Sequence, residues 1–248
     1  MSETNPNSTE VKVLRDVTFG LVAINLVVAI HKWRLSAAQE VQFDRLYALS
    51  LEGVRHGAWW QFLTYQFLHA GAAMFRQGGW LHLVINVLFL DSLGPVLETT
   101  LGRWRFLVLY LVSGALGGLV HLLGAALSPS LFGHPVVGAS AGLCGLLAAL
   151  GTIYAEERIR ARLLFVIPVT WKAKYLLLLA MVISAAGVVF PFGHVAHLAH
   201  LGGLVGGLWC VNWLKVQTPL EIGRSEEHTS ELQSLAYLVC RRLLEKKK

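Results

Sequence analysis

The sequence has few charged residues for its length. Lys, Arg, Asp and Glu make up 15% of its 248 residues and hydrophobic residues make up 55%, whereas a soluble domain carries roughly a quarter charged residues. The apolar residues also form long runs rather than the stripes of amphipathic helices. These features exclude an ordinary soluble domain and predict a polytopic membrane protein.

Cysteine is also scarce. Cys144, Cys210 and Cys240 follow no metal-binding or disulfide spacing, and two of them lie inside apolar runs, so they are interpreted as small packing residues. The first ten residues, MSETNPNSTE, lack the basic and apolar regions of a cleavable signal peptide. The net charge of +6 comes from basic residues in short connectors, so we expect no nucleic-acid partner.

The two ends of the chain differ from the apolar middle. We predict a polar N-terminal cytoplasmic segment over residues 1–15 and one six-helix domain over residues 16–223. Residues 224–248 resemble the translation of a sequencing-library adapter running into a poly-A end, so we expect this tail to be non-native. The alternative is a genuine basic amphipathic tail.

The apolar runs predict an all-α membrane protein with six transmembrane helices, because about 20 apolar residues cross a bilayer core. The expected spans are 16–33, 80–97, 106–127, 136–155, 175–192 and 194–214. The connector over residues 35–79 contains HGAWWQFLTYQFLHAG. Its aromatic rings suit the headgroup region and predict a membrane-embedded first outer loop rather than a seventh span.

The distribution of Lys and Arg predicts the orientation of the spans. The N-terminal flank, the connectors after spans two and four, and the residue after span six all carry Lys or Arg, whereas SPSLFGHP carries none. By the positive-inside rule both termini are cytoplasmic, and spans two, four and six run inward. We expect a multi-pass protein of the bacterial inner membrane.

Three spans begin with polar side chains, which are costly in lipid. These residues are His82 and Asn86 in span two, Ser140 in span four, and His194, His197 and His200 in span six. At roughly 1.5 Å per residue they share a layer within about 10 Å of the outer surface. Packing does not require this coincidence, although each residue alone could simply link helices.

The shared layer contains the parts of a nucleophilic active site. A serine hydroxyl needs a base to take its proton, and imidazole is the usual base near neutral pH. His82 and Asn86 offer N–H donors to an oxyanion. Small residues spaced four apart let helices approach closely in lipid, so we expect a glycine contact between spans four and six. The glycines concerned are Gly138, Gly142, Gly203 and Gly207.

Two other interpretations of the histidines remain open. His194, His197 and His200 lie roughly on one helix face and permit a metal site, but no HExxH pattern is present. We therefore expect no metal and no cofactor. A transporter that uses the histidines would need a continuous polar path, yet the inner halves of spans four and six are apolar.

These motifs resemble those of the rhomboid family. GASAGLCG is similar to the family's serine motif, HLVIN to its His-xxx-Asn motif, and AHLGGLVGG to its Ala-His-xx-Gly-xxx-Gly motif. GPVLETTLGRW and WWQFLTYQFLHAG resemble two of its connectors, and the resemblance covers residues 16–214 in order. It implies a six-helix intramembrane serine protease with a Ser–His dyad. Its partners would be the lipid bilayer and single-spanning membrane substrates, cleaved near the outer face.

The resemblance also implies a role for particular residues. Ser140 would be the nucleophile and His200 the general base, while His82 and Asn86 would support the oxyanion. Glu98 would brace the inner ends of spans two and three.

Two positions depart from the family pattern. Ala141 stands where the family often has Gly, and Cys144 where it often has an aromatic residue stacked on the base. We expect Cys144 to orient His200 less firmly and turnover to be modest. The alternative is a catalytically silent rhomboid-like protein that binds membrane clients, but the intact Ser140 and His200 favour an enzyme.

Overall fold

A computed structural model describes residues 15–69, 80–163, 167–190 and 195–214. Most of the predicted N-terminal segment and the whole tail 224–248 lie outside these ranges. The elements are α1 (Asp16–Trp33), α2 (Ala37–Tyr47), α3 (Leu51–Arg55), α4 (Gln61–Thr64), a short 3-10 helix (Tyr65–Phe67), α5 (Trp80–Leu101), α6 (Arg103–Leu127), α7 (Pro129–Phe132), α8 (Ser140–Ile153), β1 (Arg158–Leu163), β2 (Ile167–Lys172), α9 (Ala173–Val189) and α10 (His197–Trp213).

Six of these helices overlap the predicted spans: α1 has the predicted ends, and the ends of the other five differ. Within the described ranges, α1, α5 and α6 are long and apolar enough to cross a membrane, while α8 and α9 are apolar but shorter. α5 continues to Leu101, and Gly102 at φ +78° separates it from α6. α8 begins at Ser140 rather than at Val136, because the outer connector holds the preceding residues in a non-helical conformation.

The centre of the bundle is the packing of α10 against α6 and α8. Glycines make this contact possible. A Cβ on Gly203 would collide with the carbonyl oxygen of Ala141, and a Cβ on Gly207 with that of Gly145. The backbones of α8 and α10 are therefore in direct contact over two successive turns.

This contact differs from the expected one on the α8 side. Gly203 and Gly207 lie against α8, but the residues that they meet are Ala141 and Gly145. Gly142 faces the ring of Tyr110 on α6. Gly138 faces the ring of His82.

Glu98 joins the end of α5 to the start of α1. Its side chain is buried, and its oxygens accept hydrogen bonds from the backbone N–H of Val17 (3.0 Å), the backbone N–H of Thr18 (2.9 Å) and the Thr18 hydroxyl (2.8 Å). These N–H groups lack an intrahelical acceptor, and the helix dipole favours an anion there. Glu98 therefore links span two to span one, whereas we expected a brace between spans two and three.

The outer connector folds into short helices that hold the segment before Ser140. Leu49 and Val136 form an isolated antiparallel bridge with N–O distances of 3.0 and 2.9 Å. The backbone N–H of Gly138 donates to the Tyr65 carbonyl at 2.9 Å, and the Tyr65 hydroxyl donates to the Gly114 carbonyl at 2.5 Å. In its described part the connector has no helix long enough to span a membrane. Its depth in the bilayer stays a prediction.

A two-stranded antiparallel hairpin, β1–β2, lies between α8 and α9. Its register pairs Arg158 with Lys172 and Leu163 with Ile167. The all-α prediction did not include it. RIRARL alternates basic and apolar residues with the period of a strand, a pattern that also carries the positive charge of this connector.

Replacing Glu98 with Gln should destabilise the fold by about 1–3 kcal/mol, because an amide cannot offer two anionic oxygens to the N–H groups of α1. The measurement is the midpoint of thermal unfolding in detergent. Asp91→Asn changes an exposed carboxylate on the same helix and should unfold like the wild type. A midpoint for Glu98→Gln equal to that of Asp91→Asn would contradict the bridging role.

Candidate active site

Ser140 is the first residue of α8 and is partly exposed. Ala139 occupies the N-cap position and provides no side-chain cap. The backbone N–H groups of the first turn have no intrahelical acceptor, and the helix dipole is positive at this end. Ser140 therefore lies beside donors that suit a developing anion.

His200 lies in the first turn of α10, with its Nε2 atom 2.8 Å from the Ser140 Oγ atom. A hydroxyl donates and a neutral imidazole nitrogen accepts in such a pair. Gly203 lies about one turn after His200, and Ala141 directly follows Ser140. The close contact between Gly203 and Ala141 brings the two side chains within this distance. The arrangement is that of a nucleophile and its base.

Gly138 allows the His82 ring to approach the backbone next to Ser140. Its φ of +130° is a conformation that side chains with a Cβ rarely adopt. A Cβ there would lie 2.8 Å from His82 Cε1, 3.2 Å from His82 Nε2 and 3.7 Å from Ser140 Oγ. The His82 ring therefore packs directly against the Gly138 backbone, close to the Ser140 hydroxyl, and a side chain at position 138 would displace it.

Asn86 is buried one turn after His82, and its amide has partners inside the protein. Its Nδ2 atom donates to the His82 carbonyl at 2.8 Å and lies 3.3 Å from His69 Nε2. An amide nitrogen has two N–H donors, so both are engaged. Asn86 would have to release one of them before donating to an oxyanion.

His69 is the residue near the site that our sequence analysis missed. It is buried, and its ring centroid lies 5.3 Å from that of His82. It belongs to the motif FLHAG, which we interpreted only for its aromatic residues. Its position could not be inferred from spacing, because residues 70–79 separate it from α5.

His197 lies one turn before His200 and contacts it edge to face, with ring centroids 6.0 Å apart and an interplanar angle of 80°. It is buried against Gly187 of α9, where a Cβ would collide with the His197 ring. The base therefore has an aromatic neighbour on its own helix. That Cys144 orients His200 only weakly stays a prediction.

The metal interpretation depends partly on residues that are not described, since His194 lies outside the described ranges. Within those ranges, no group of three or more His, Cys, Asp or Glu side chains could hold a metal ion. The Nε2 atom of His200 contacts the Ser140 hydroxyl instead.

A family model described as the Rhomboid domain matches residues 56–217, which is more than half of the chain and includes every site residue described above. The chain belongs to the rhomboid family. It is accordingly an integral membrane protein, in agreement with the three helices of membrane-spanning length among the described residues.

Similar proteins occur in bacteria and in mitochondria. The chain is 31% identical over 156 residues to the Rhomboid protease GluP of Bacillus subtilis, covering 63% of this chain and 26% of that protein. It is 36% identical over 138 residues to the yeast mitochondrial Rhomboid protein 1, covering 56% and 39%. It is 29% identical over 132 residues to the human mitochondrial Presenilin-associated rhomboid-like protein, covering 53% and 34%. The matched region is thus well under half of each relative.

Gly138→Ala should reduce cleavage of a membrane substrate by roughly 100-fold or more, the range expected when an oxyanion site is lost. The added methyl group would collide with the His82 ring and displace it from the serine. Gly57→Ala is the matched control, because Gly57 also has a positive φ of +90° but no atom within 4 Å of the added Cβ. If both variants lost activity equally, backbone strain rather than displacement of His82 would be responsible.

His197→Ala should reduce the cleavage rate much less than His200→Ala, because His197 packs against the ring of the base, whereas His200 Nε2 contacts the Ser140 hydroxyl directly. His197→Phe keeps a ring against His200 and should retain more activity than His197→Ala. The measurement is kcat for one substrate in the same lipid. Equal losses for His197→Ala and His200→Ala would contradict the assignment of His200 as the base.

Proposed function

We propose that the protein is an intramembrane serine endopeptidase that cleaves single-spanning membrane proteins near the outer membrane face. The observation that carries the proposal is the 2.8 Å contact between His200 Nε2 and Ser140 Oγ. Membership of the rhomboid family and similarity to a relative named as a protease support it.

Catalysis follows from the geometry of the dyad. His200 takes the proton of the Ser140 hydroxyl, and the serine oxygen attacks the scissile carbonyl carbon. The C–N bond then breaks as His200 gives its proton to the leaving amine, and a water repeats the two proton transfers to hydrolyse the ester. Ser140 and His200 supply every proton transfer, so the scheme uses no metal and no cofactor.

The oxyanion forms beside Ser140, next to the His82 ring. An N–H of the His82 ring and the backbone N–H groups at the start of α8 stabilise it. Asn86 is a further donor once its amide turns from His69. The roles of Gly203, Gly207 and Glu98 are structural: the glycines let α8 and α10 pack closely, and Glu98 links α5 to α1.

The length of α8 supports a recessed site. The helix has 14 residues, which corresponds to about 21 Å, whereas the hydrocarbon core is about 30 Å thick. If the C-terminal end of α8 reaches the inner boundary of the hydrocarbon core, Ser140 lies about 9 Å below the outer boundary of that core. A substrate helix would unwind there, and water would enter from the outer side.

The proposed topology has six membrane crossings. It counts α1, α5, α6, α8, α9 and α10 as spans, with both termini cytoplasmic because the basic connectors lie on that side. The bacterial inner membrane stays a prediction, since the relatives include bacterial and mitochondrial proteins.

The test is cleavage in proteoliposomes that contain a single-spanning model substrate. The wild type should release two fragments, with the cut near the outer end of the substrate helix, and Ser140→Ala should release none. A folded wild type that cleaves no substrate in several lipid mixtures would contradict the proposal. That result would favour the alternative of a catalytically silent rhomboid-like protein that binds membrane clients.

EDTA should leave the rate of this cleavage unchanged, because proton transfer and anion stabilisation come from protein side chains and backbone. The rate is measured before and after chelation, with a zinc-dependent protease as the positive control. A loss of activity that added metal restores would overturn the dyad scheme and support a histidine metal site.

A further inference from the structure

His69 is a buried histidine of the outer connector, and its side chain is only 1% exposed. It follows closely after the short 3-10 helix that begins at Tyr65. Tyr65 ties this stretch of the connector to the bundle, because its hydroxyl donates to the Gly114 carbonyl of α6 and its carbonyl accepts from the backbone N–H of Gly138. The connector therefore holds His69 at a defined position relative to the start of α8.

The hydrogen bonds of Asn86 show how its amide is oriented. The Nδ2 atom lies 2.8 Å from the His82 carbonyl oxygen. A carbonyl oxygen only accepts hydrogen bonds, so the nitrogen of the amide, and not its oxygen, must lie on this side. The same Nδ2 atom lies 3.3 Å from His69 Nε2. Because an amide nitrogen only donates, this ring nitrogen must be the acceptor.

The contact with Asn86 determines the charge state of His69. An imidazolium, or the tautomer with its proton on Nε2, would direct one N–H against another. His69 is therefore neutral and carries its proton on Nδ1. Burial of the ring is the main cause that lowers the pKa of His69 from 6.5 to about 3, and repulsion from a charged His82 is the next. A neutral ring near neutral pH agrees with the geometry.

A single hydrogen bond would leave the Asn86 amide free to turn. The last torsion of an asparagine side chain, χ2, has a broad energy profile, so an amide held only by the His82 carbonyl would rotate about that bond. The second hydrogen bond, to His69, fixes the plane of the amide. It is also the longer and weaker of the two. Asn86 can therefore exchange it for a stronger, charge-assisted bond to an oxyanion.

We propose that His69 is a positioning residue for the oxyanion donor Asn86. It accepts one N–H of the amide in the resting enzyme and releases that N–H to the oxyanion during the reaction. His69 acts through Asn86 and through the ring of His82, whose centroid lies 5.3 Å from its own. The inference rests on the proposed endopeptidase function, and it assigns to the connector a part in catalysis beyond holding the chain before Ser140.

The first test compares two replacements of His69 in the proteoliposome cleavage assay. His69→Leu keeps a side chain of similar size without an acceptor. It should lower kcat about tenfold or more and change KM less than about twofold, because losing an oxyanion donor costs roughly 100-fold and misorienting it costs part of that. His69→Gln offers an amide oxygen near the position of Nε2 and should restore most of kcat. Equal kcat values for the two variants, or a wild-type kcat for His69→Leu, would overturn the proposal.

A double-mutant cycle separates positioning from a general loss of structure. In an Asn86→Ala background, His69→Leu should change kcat less than about twofold, because the amide that His69 orients is absent. An equal loss with and without Asn86 would overturn the proposal.

His121→Leu is the matched control for these variants. His121 is also buried, and its Nε2 atom lies 3.3 Å from the His134 carbonyl oxygen. The variant removes a comparable contact on α6 and should lower kcat less than about threefold, within the range of a small loss of structure. A loss as large as that of His69→Leu would overturn the specific role of His69.

A second measurement does not depend on activity. In full-length protein with ¹⁵N-labelled histidine, nuclear magnetic resonance distinguishes protonated from unprotonated ring nitrogens, and comparison with His69→Gln assigns the His69 signals. Nε2 should be unprotonated, and its chemical shift should change in Asn86→Ala. A proton on Nε2 would overturn the proposal. A wild type that shows the expected tautomer but cleaves no substrate would instead contradict the proposed function.

Discussion

The direct backbone contact between α8 and α10 is the constraint on which the site depends. At Gly203 no side chain separates the two helices, so the Ala141 carbonyl touches the α10 backbone. A Cβ there would lie well inside ordinary contact distance of that oxygen, so the two helices would have to move apart. The 2.8 Å contact between Ser140 and His200 would then be lost. In lipid, where burial gives little drive for helix association, such packing is the main source of precision.

The outer connector supplies the second constraint, because it determines the path of the chain into α8. The Leu49–Val136 bridge and the Tyr65–Gly138 hydrogen bond stop the helix from extending before Ser140. As a result Ser140 lies at a helix N-terminus with the His82 ring packed against Gly138 beside it, instead of inside a regular helix. Nucleophile and anion-stabilising donors are therefore products of the same local structure. The connector shapes the site although it contributes no group to the dyad.

The sequence was informative where a pattern is local and uninformative where partners depend on packing. The positions of the long helices followed from apolar runs. The meeting of Ser140 with a histidine of span six was expected from their shared depth, and the choice of His200 came from the family resemblance. The partner of Glu98 could not be predicted, because depth alone does not show which neighbouring helix a carboxylate contacts. His69 was missed for the same reason, since it reaches Asn86 from a different element. The hairpin was visible as an alternation in RIRARL, but its loop charges were used for orientation alone.

The most direct measurement of the central claim is covalent labelling of the serine. The purified protein without residues 224–248, in lipid or detergent, would be treated with a fluorophosphonate probe beside Ser140→Ala and His200→Ala. Any adduct would be mapped by mass spectrometry. We expect an adduct on Ser140 that forms only when His200 is present, because an unactivated hydroxyl does not react. Labelling of the wild type no greater than that of Ser140→Ala, under several lipid conditions, would contradict an activated serine.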